Sequence, residues 1–349
     1  MWYRNLILFL ILFSLVPVAA QEDGGETTTL TLLTHDSFDL PPALLAEFAE
    51  ETGIELRILR AGDTGTLITQ AILSANDPLG DLLFGVDNTF LSRALAADLF
   101  LPYVSDRLAE IDPRFWLEDE ERVTPIDYGD VCLNYDRAYF AEHQLAIPET
   151  LLDLTKAEYA GLLVVQNPAT SSPGLAFLLA TVAVFGVESE YNYLDFWQDL
   201  AENDVRITEG WTAAYFGEFT AGSETGTRPL VVSYASSPPF TVDEETGEAA
   251  TGSIVAPDTC FRQVEYVGIL RGTENEVQAQ RFVDFMLSRA FQEALPDSMY
   301  VFPVHPRAAL PAAFSEHAQI PAEPVVISAA EIAAGRQEWT QAWLELMLR

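Results

Sequence analysis

Apolar runs and helical periodicities alternate along the chain from residue 30 onward. LTLLTH (30–35) predicts a strand, and PPALLAEFAEETG (41–53) predicts a helix that opens on proline and closes at Gly53. IELRIL (54–59) is the next strand. Asp63 then caps a helix with Leu67, Ile68, Ala71 and Ile72 on one face. DLLFGV (81–86) reads as a strand, with Asp87 or Asn88 capping the helix that follows. The pattern returns at LLVVQ (162–166), a helix over 173–185, VRIT (205–208), a helix from Trp211, and LVVSY (230–234). Continuously apolar strands alternating with helices predict parallel sheets covered on both faces. The chain has 349 residues, 49% of them hydrophobic, enough for two lobes rather than one domain.

Polar and aromatic residues gather just after these strands. His35 and Asp36 follow the first, Asp63 and Thr64 the second, and Asp87 and Asn88 the third. Thr170-Ser171-Ser172, Trp211 and Tyr234-Ala235-Ser236-Ser237 stand in the same place later in the chain. Ligands of open α/β sheets bind beyond the carboxyl ends of the strands, so this set marks a candidate site. Any one of these residues also suits an ordinary cap or turn. Thr170-Ser171-Ser172-Pro173-Gly174 opens a helix with proline at its first position, which is either a plain cap or a place for an anion.

Composition narrows the function classes. With 53 acidic and 18 basic residues the formal net charge is −35, which disfavours nucleic acid and anionic membrane surfaces. Residues 1–20 carry Arg4, an apolar run over 6–16 and the small-residue end Val18-Ala19-Ala20, the pattern of an export signal cleaved before Gln21. That run is too short to cross a bilayer, and no cysteine at the cleavage point offers a lipid anchor. Cys132 and Cys260 are the two cysteines, and in an exported chain a pair suggests one disulfide. The four histidines (His35, His143, His305 and His317) are scattered, so no metal site is expected. There is no GxSxG, no HExxH and no phosphate-cradling glycine loop, and a non-enzyme is expected.

The stretches THDSF (34–38), GVDN (85–88), IDYGDVCLNYD (126–136), QNPATSSPGL (166–175), TEGWTAAY (208–215), VVSYASSP (231–238), FPV (302–304) and ISAAEIAAGRQEWTQAW (327–343) carry a resemblance to a known family. The chain resembles the periplasmic thiamine-binding proteins of ABC importers over nearly its whole mature length. The resemblance implies a two-lobed α/β fold of the type II periplasmic-binding-protein kind. Each lobe would be a mainly parallel sheet flanked by helices, and two crossing hinge strands would join them. Lobe 1 would comprise 27–127 and 264–349, and lobe 2 128–263. It also implies thiamine or its phosphates in the cleft, no cofactor, a monomer at the extracytoplasmic face, and an ABC permease as partner. Its binding positions fall on Asp63, Thr64, Ser171, Ser172, Trp211, Tyr234, Ala235, Ser236 and Ser237. His35 and Phe240 stand where better-known members have tyrosine, and Tyr300 where they have tryptophan. By the same resemblance the strands carrying Cys132 and Cys260 run side by side near the hinge, which makes their disulfide reasonable.

The residue chemistry is compatible with that ligand. Aromatic faces attract a fixed cation such as thiazolium by roughly 0.5–2 kcal/mol each. Asp63 suits the aminopyrimidine or the ring charge, and Tyr234, Ser236 and Ser237 add a face and donors. Prolines after Ser237 fix that loop beforehand, lowering the ordering cost of binding. The alternatives are another small cation such as a polyamine, ferric iron, or an exported hydrolase of a thiamine-like compound. Iron would call for oxygen ligands such as paired tyrosines, but Tyr191 and Tyr193 sit in a helix-start context. A hydrolase would use Cys132 or Ser171, neither with a histidine partner in sequence.

Overall fold

The computed structural model describes residues 28–348, and the export signal expected over residues 1–20 lies outside the described residues. The first parallel group consists of β1 (Thr28–Thr34), β2 (Ile54–Arg60) and β3 (Leu82–Asp87), with α1 (Pro42–Thr52), α2 (Thr64–Leu73) and α3 (Leu91–Ala96) between and after them. The short β4 (Phe100–Leu101) precedes β5 (Thr124–Asp136), which leads through α4 (Arg137–Glu142) into a second group. That group holds β6 (Leu163–Gln166), β7 (Arg206–Thr208) and β8 (Leu230–Tyr234), with α5 (Ser172–Phe185), α6 (Tyr193–Glu202) and the single turn α7 (Trp211–Ala213). After β9 (Thr251–Ile254), β10 (Phe261–Leu270) returns to the first group. The chain ends through α8 (Glu276–Met286), α9 (Arg289–Ser298), β11 (Phe302–Pro303), α10 (Ala312–His317) and α11 (Ala329–Met347).

The strands join in the order β2-β1-β3-β10-β5-β8-β6-β7. β1 is parallel to β2 and β3, and β6 is parallel to β7 and β8. Between these groups β5 and β10 run antiparallel to one another, β10 also against β3 and β5 also against β8. They are the two crossing strands, and the expected lobe limits fall within them. Every residue of β3 is buried, as its apolar run from Leu82 to Val86 requires of a strand covered on both faces. β2 departs from that rule: its burial alternates because it is an edge strand with one face open.

Helix packing closes the layers. Trp197 of α6 meets Phe177 of α5 edge-on at 5.6 Å and Trp343 of α11 at 5.3 Å between ring centroids. α11 therefore lies on helices of the second group, while it also touches α3 of the first. Three expectations need correction. Neither Asp87 nor Asn88 caps α3, whose N-cap is Phe90. Asp87 instead accepts from Thr89 N, and Asn88 bridges to Arg262 O and Val264 N, so both side chains serve the turn and the crossing strand. Ser172 takes the first position of α5, with Ser171 as N-cap, and Pro173 is second. The helix from Trp211 lasts one turn and widens into a π-turn at Ala214–Glu218.

Phe261 of β10 faces Val131 of β5, which brings the next residues outward, Cys132 and Cys260, to a Cα separation of 4.4 Å. They form a disulfide. It packs with Ala235 beside the loop that follows β8.

Candidate functional site

A cavity of about 290 Å³ opens where the two strand groups face each other across β5 and β10. His35, Asp63 and Thr64 reach it from the first group, and Ser172, Trp211, Tyr234 and Ser237 from the second. Phe240, Tyr300 and Glu265 also line it.

Asp63 is both a helix cap and a clasp across the cleft. As N-cap of α2 its Oδ1 accepts from Thr64 N at 2.7 Å, while its Oδ2 accepts from Trp211 N at 3.0 Å. Burial raises the carboxyl's pKa above the ordinary value, opposed by those backbone donors, Trp211 first. Thr64 is buried and donates to Gly85 O at 2.9 Å, fixing the start of α2 to the end of β3. The next residue must be glycine: a Cβ on Gly65 would stand 2.4 Å from Ala169 O, and Gly65 N donates to Thr170 O at 2.9 Å. The two groups are thus in contact, and the arrangement is a closed one.

The aromatic wall comes from the second group. Trp211 and Tyr215, spaced i and i+4, share a face and stack at 5.0 Å with an interplanar angle of 25°. The indole N–H donates to Ser233 Oγ at 2.9 Å, and that hydroxyl contacts Ser237 Oγ at 3.0 Å. Phe216 and Phe240 continue the wall at 5.4 Å, and Phe240 meets Tyr300 edge-on at 5.0 Å. Tyr300 has a φ of 55°, a left-handed backbone that costs a non-glycine residue about 1–2 kcal/mol. Tyr234 lies against β5 because residue 129 is glycine: a Cβ there would stand 2.8 Å from Tyr234 Cδ1.

Other expected residues stand behind the wall. Ser171, Ala235 and Ser236 are fully buried and, like Asp87, do not line the cavity. Ala235 N donates to Asp130 O, so Ala235 shapes the loop. The Ser172 hydroxyl donates to Asp87 Oδ2, which ties the start of α5 to the end of β3. Ser171 lies close enough to temper Asp63, yet its hydroxyl makes no hydrogen bond of ordinary geometry. Asp63 and Asp87 thus already occupy the corner read as an anion place. A phosphate there would have to share protons with two carboxyls whose proton affinity burial has raised. Ser237 lines the cavity, but its hydroxyl is engaged with Ser233 rather than free.

His35 replaces the hydroxyl that the resemblance places there with an imidazole. Its Nδ1 contacts Ser37 Oγ at 2.9 Å, its ring packs on Phe84 at 5.8 Å, and burial lowers its pKa to about 4, leaving it neutral at pH 7. Sequence reading missed Glu265, Tyr215 and Phe216. The i, i+4 spacing from Trp211 was a usable signal for Tyr215. Among the described residues no group of three or more His, Cys, Asp or Glu side chains has a metal-holding arrangement.

The chain matches the model of the bacterial extracellular solute-binding proteins over residues 77–334. It is 29% identical to the thiamine-binding periplasmic protein of Escherichia coli, covering 97% of this chain and 98% of that one. The thiamine-binding periplasmic protein of Salmonella typhimurium is 30% identical over 92% of this chain and 94% of its own length. Among solved structures, a periplasmic thiamin binding protein superposes with a TM-score of 0.81 at 28% identity, covering 92% of this chain and 96% of that one. A cleft walled by aromatic rings and carboxyls, set between two strand groups, is thus found in a chain that belongs to the bacterial extracellular solute-binding protein family.

Proposed function

We propose that this protein is an exported receptor that captures thiamine between its two strand groups and delivers it to the permease of an ABC importer. The observation that carries the reading is the pairing of an aromatic wall, Trp211 to Tyr300, with the half-buried carboxyl of Asp63 and the buried one of Glu265. A quaternary thiazolium is attracted by ring faces and by carboxylates, and the aminopyrimidine N–H groups find an acceptor in Asp63. Thiamine's names among the relatives agree with that chemistry. Capture and release follow from opening and closing about β5 and β10, with no bond made or broken in the ligand.

The iron reading and the thiol-hydrolase reading lack support at the cleft. Tyr191 donates to Asp199 and Tyr193 is packed into α6, and neither lines the cavity as an iron ligand would. Cys132 is bonded to Cys260 and offers no thiolate nucleophile. Calorimetric titration with thiamine, its monophosphate and its diphosphate, beside spermidine and ferric citrate, tests the proposal. Saturable one-to-one binding of thiamine, with the ligand recovered unchanged, is expected. Binding of spermidine or iron in preference to thiamine, or turnover of thiamine, would overturn it.

A further inference from the structure

Glu265 sits on β10 at the floor of the cavity, 6% exposed. The pairing of β10 with β5 slips between Glu265 and Tyr266, and its pairing with β3 slips between Tyr266 and Val267. Such irregularities re-aim side chains, here turning a carboxyl from a central strand into a ligand cleft. Its basic partner is His35 Nε2 at 3.5 Å, a buried atom with no hydrogen-bond partner on a residue that lines the cavity. That imidazole is neutral at pH 7, so it leaves the carboxyl's charge unmatched.

Asp127 stands directly opposite on β5, wholly buried, and outside its pairing with Glu265 neither of its oxygens has a hydrogen-bond donor. The groups facing Glu265 from every packed element are His35 of the β1 end, Asp63 of the α2 start, Asp87 of β3, Asp127 of β5 and Tyr234 of β8. None brings a fixed positive charge. Burial, then Asp127, raises the Glu265 carboxyl well above its usual range, and burial raises Asp127 too. Two adjacent buried carboxyls in that state hold a proton between them. The aromatic wall opposite supplies the independent sign of a cation's seat.

We propose that Glu265 is the charge-selecting residue of this cleft: it supplies the counter-charge to a fixed organic cation, and the proton it shares with Asp127 leaves to solvent when that cation enters. The O–H bond of the shared acid breaks, its electron pair stays on the carboxylate, and the cation's charge takes the place of the proton's. The proposal deepens the thiamine reading, on which its choice of ligand rests.

The test compares thiamine with its neutral thiophene isostere, in which carbon replaces the charged ring nitrogen, on wild type, Glu265→Gln and Glu265→Asp. At pH 8 wild type should prefer thiamine by roughly tenfold or more, and Glu265→Gln should lose about that factor for thiamine while holding the isostere within about threefold. Glu265→Asp should recover part of the preference, and melting curves for all three proteins check the fold. Titration of wild type near pH 7 in buffers of different ionisation heat should show proton release with thiamine and none with the isostere. An equal loss for both ligands in Glu265→Gln, or no proton release, would overturn the proposal. If wild type binds neither ligand, the thiamine reading itself falls. Charge selection is then read from melting shifts with N-methylated aromatic cations and their uncharged parents. A cation-only shift absent from Glu265→Gln supports the proposal, and identical shifts or none overturn it.

Discussion

Trp211 is held from three directions: its backbone N–H by Asp63, its indole N–H by Ser233, and its ring by Tyr215. A ring so fixed loses little freedom when a ligand stacks on it, which makes its face an efficient contact. Trp211→Ala should therefore weaken thiamine binding by about 1–3 kcal/mol, read by titration beside wild type, with the melting temperature little changed because the ring is not part of the main core. Unchanged affinity would remove Trp211 from the site. Asp63, Trp211 and Tyr234 were legible as cavity-lining residues because each ends or follows a strand and the set converges on one edge of the sheet. Ala235, Ser236 and Asp87 share that position, yet their side chains turn inward, and strand-end position says nothing of which way a side chain points. Glu265 was hidden for the opposite reason. It lies within a central strand, where its aim depends on an irregularity of pairing that leaves no local mark.

At the scale of elements, the parallel strands were legible because each is a short apolar run closed by turn residues, and α1, α2 and α5 follow from their proline, cap or glycine signals. The crossing role of β5 and β10 came from the resemblance alone, since their apolar and charged residues mix. Their partners, far away in sequence, decide their burial. That mixture has a measurable consequence. Asp127 and Glu265 have folded-state pKa values above their unfolded ones near 4, so the fold keeps a proton that the unfolded chain has already lost. Their contribution to stability is complete below about pH 4 and is lost as pH rises through the folded values. Asp127→Asn should thus raise stability by an amount on the order of 1–3 kcal/mol at pH 8 and by much less at pH 4, as denaturant melts at both pH values would show. A larger gain at pH 4 than at pH 8 would reverse the sign and count against the buried pair.

Across the whole molecule, strand–helix alternation pointed to the α/β class, and the resemblance to binding proteins pointed to crossing strands. The placement of α11 against both strand groups was outside either signal, because a terminal helix's docking depends on shapes such as Trp343 against Trp197. The disulfide is the covalent feature on this scale. Cys132 of β5 and Cys260, the residue before β10, are joined across 128 residues of sequence, a span that contains the whole second strand group. Tying its two ends together restricts the unfolded chain more than the folded one, where the strands are already paired. The bridge also lies beside the Ala235 loop, outside the cavity wall, so it constrains the base of the second group without holding the cleft open or shut. Replacing both cysteines by serine should cost about 2–5 kcal/mol in denaturant unfolding while leaving thiamine affinity within about twofold. Alkylation of the non-reduced exported protein should label no cysteine. A large loss of affinity in the double variant, with stability preserved, would show instead that the bridge governs closure rather than the integrity of the second group.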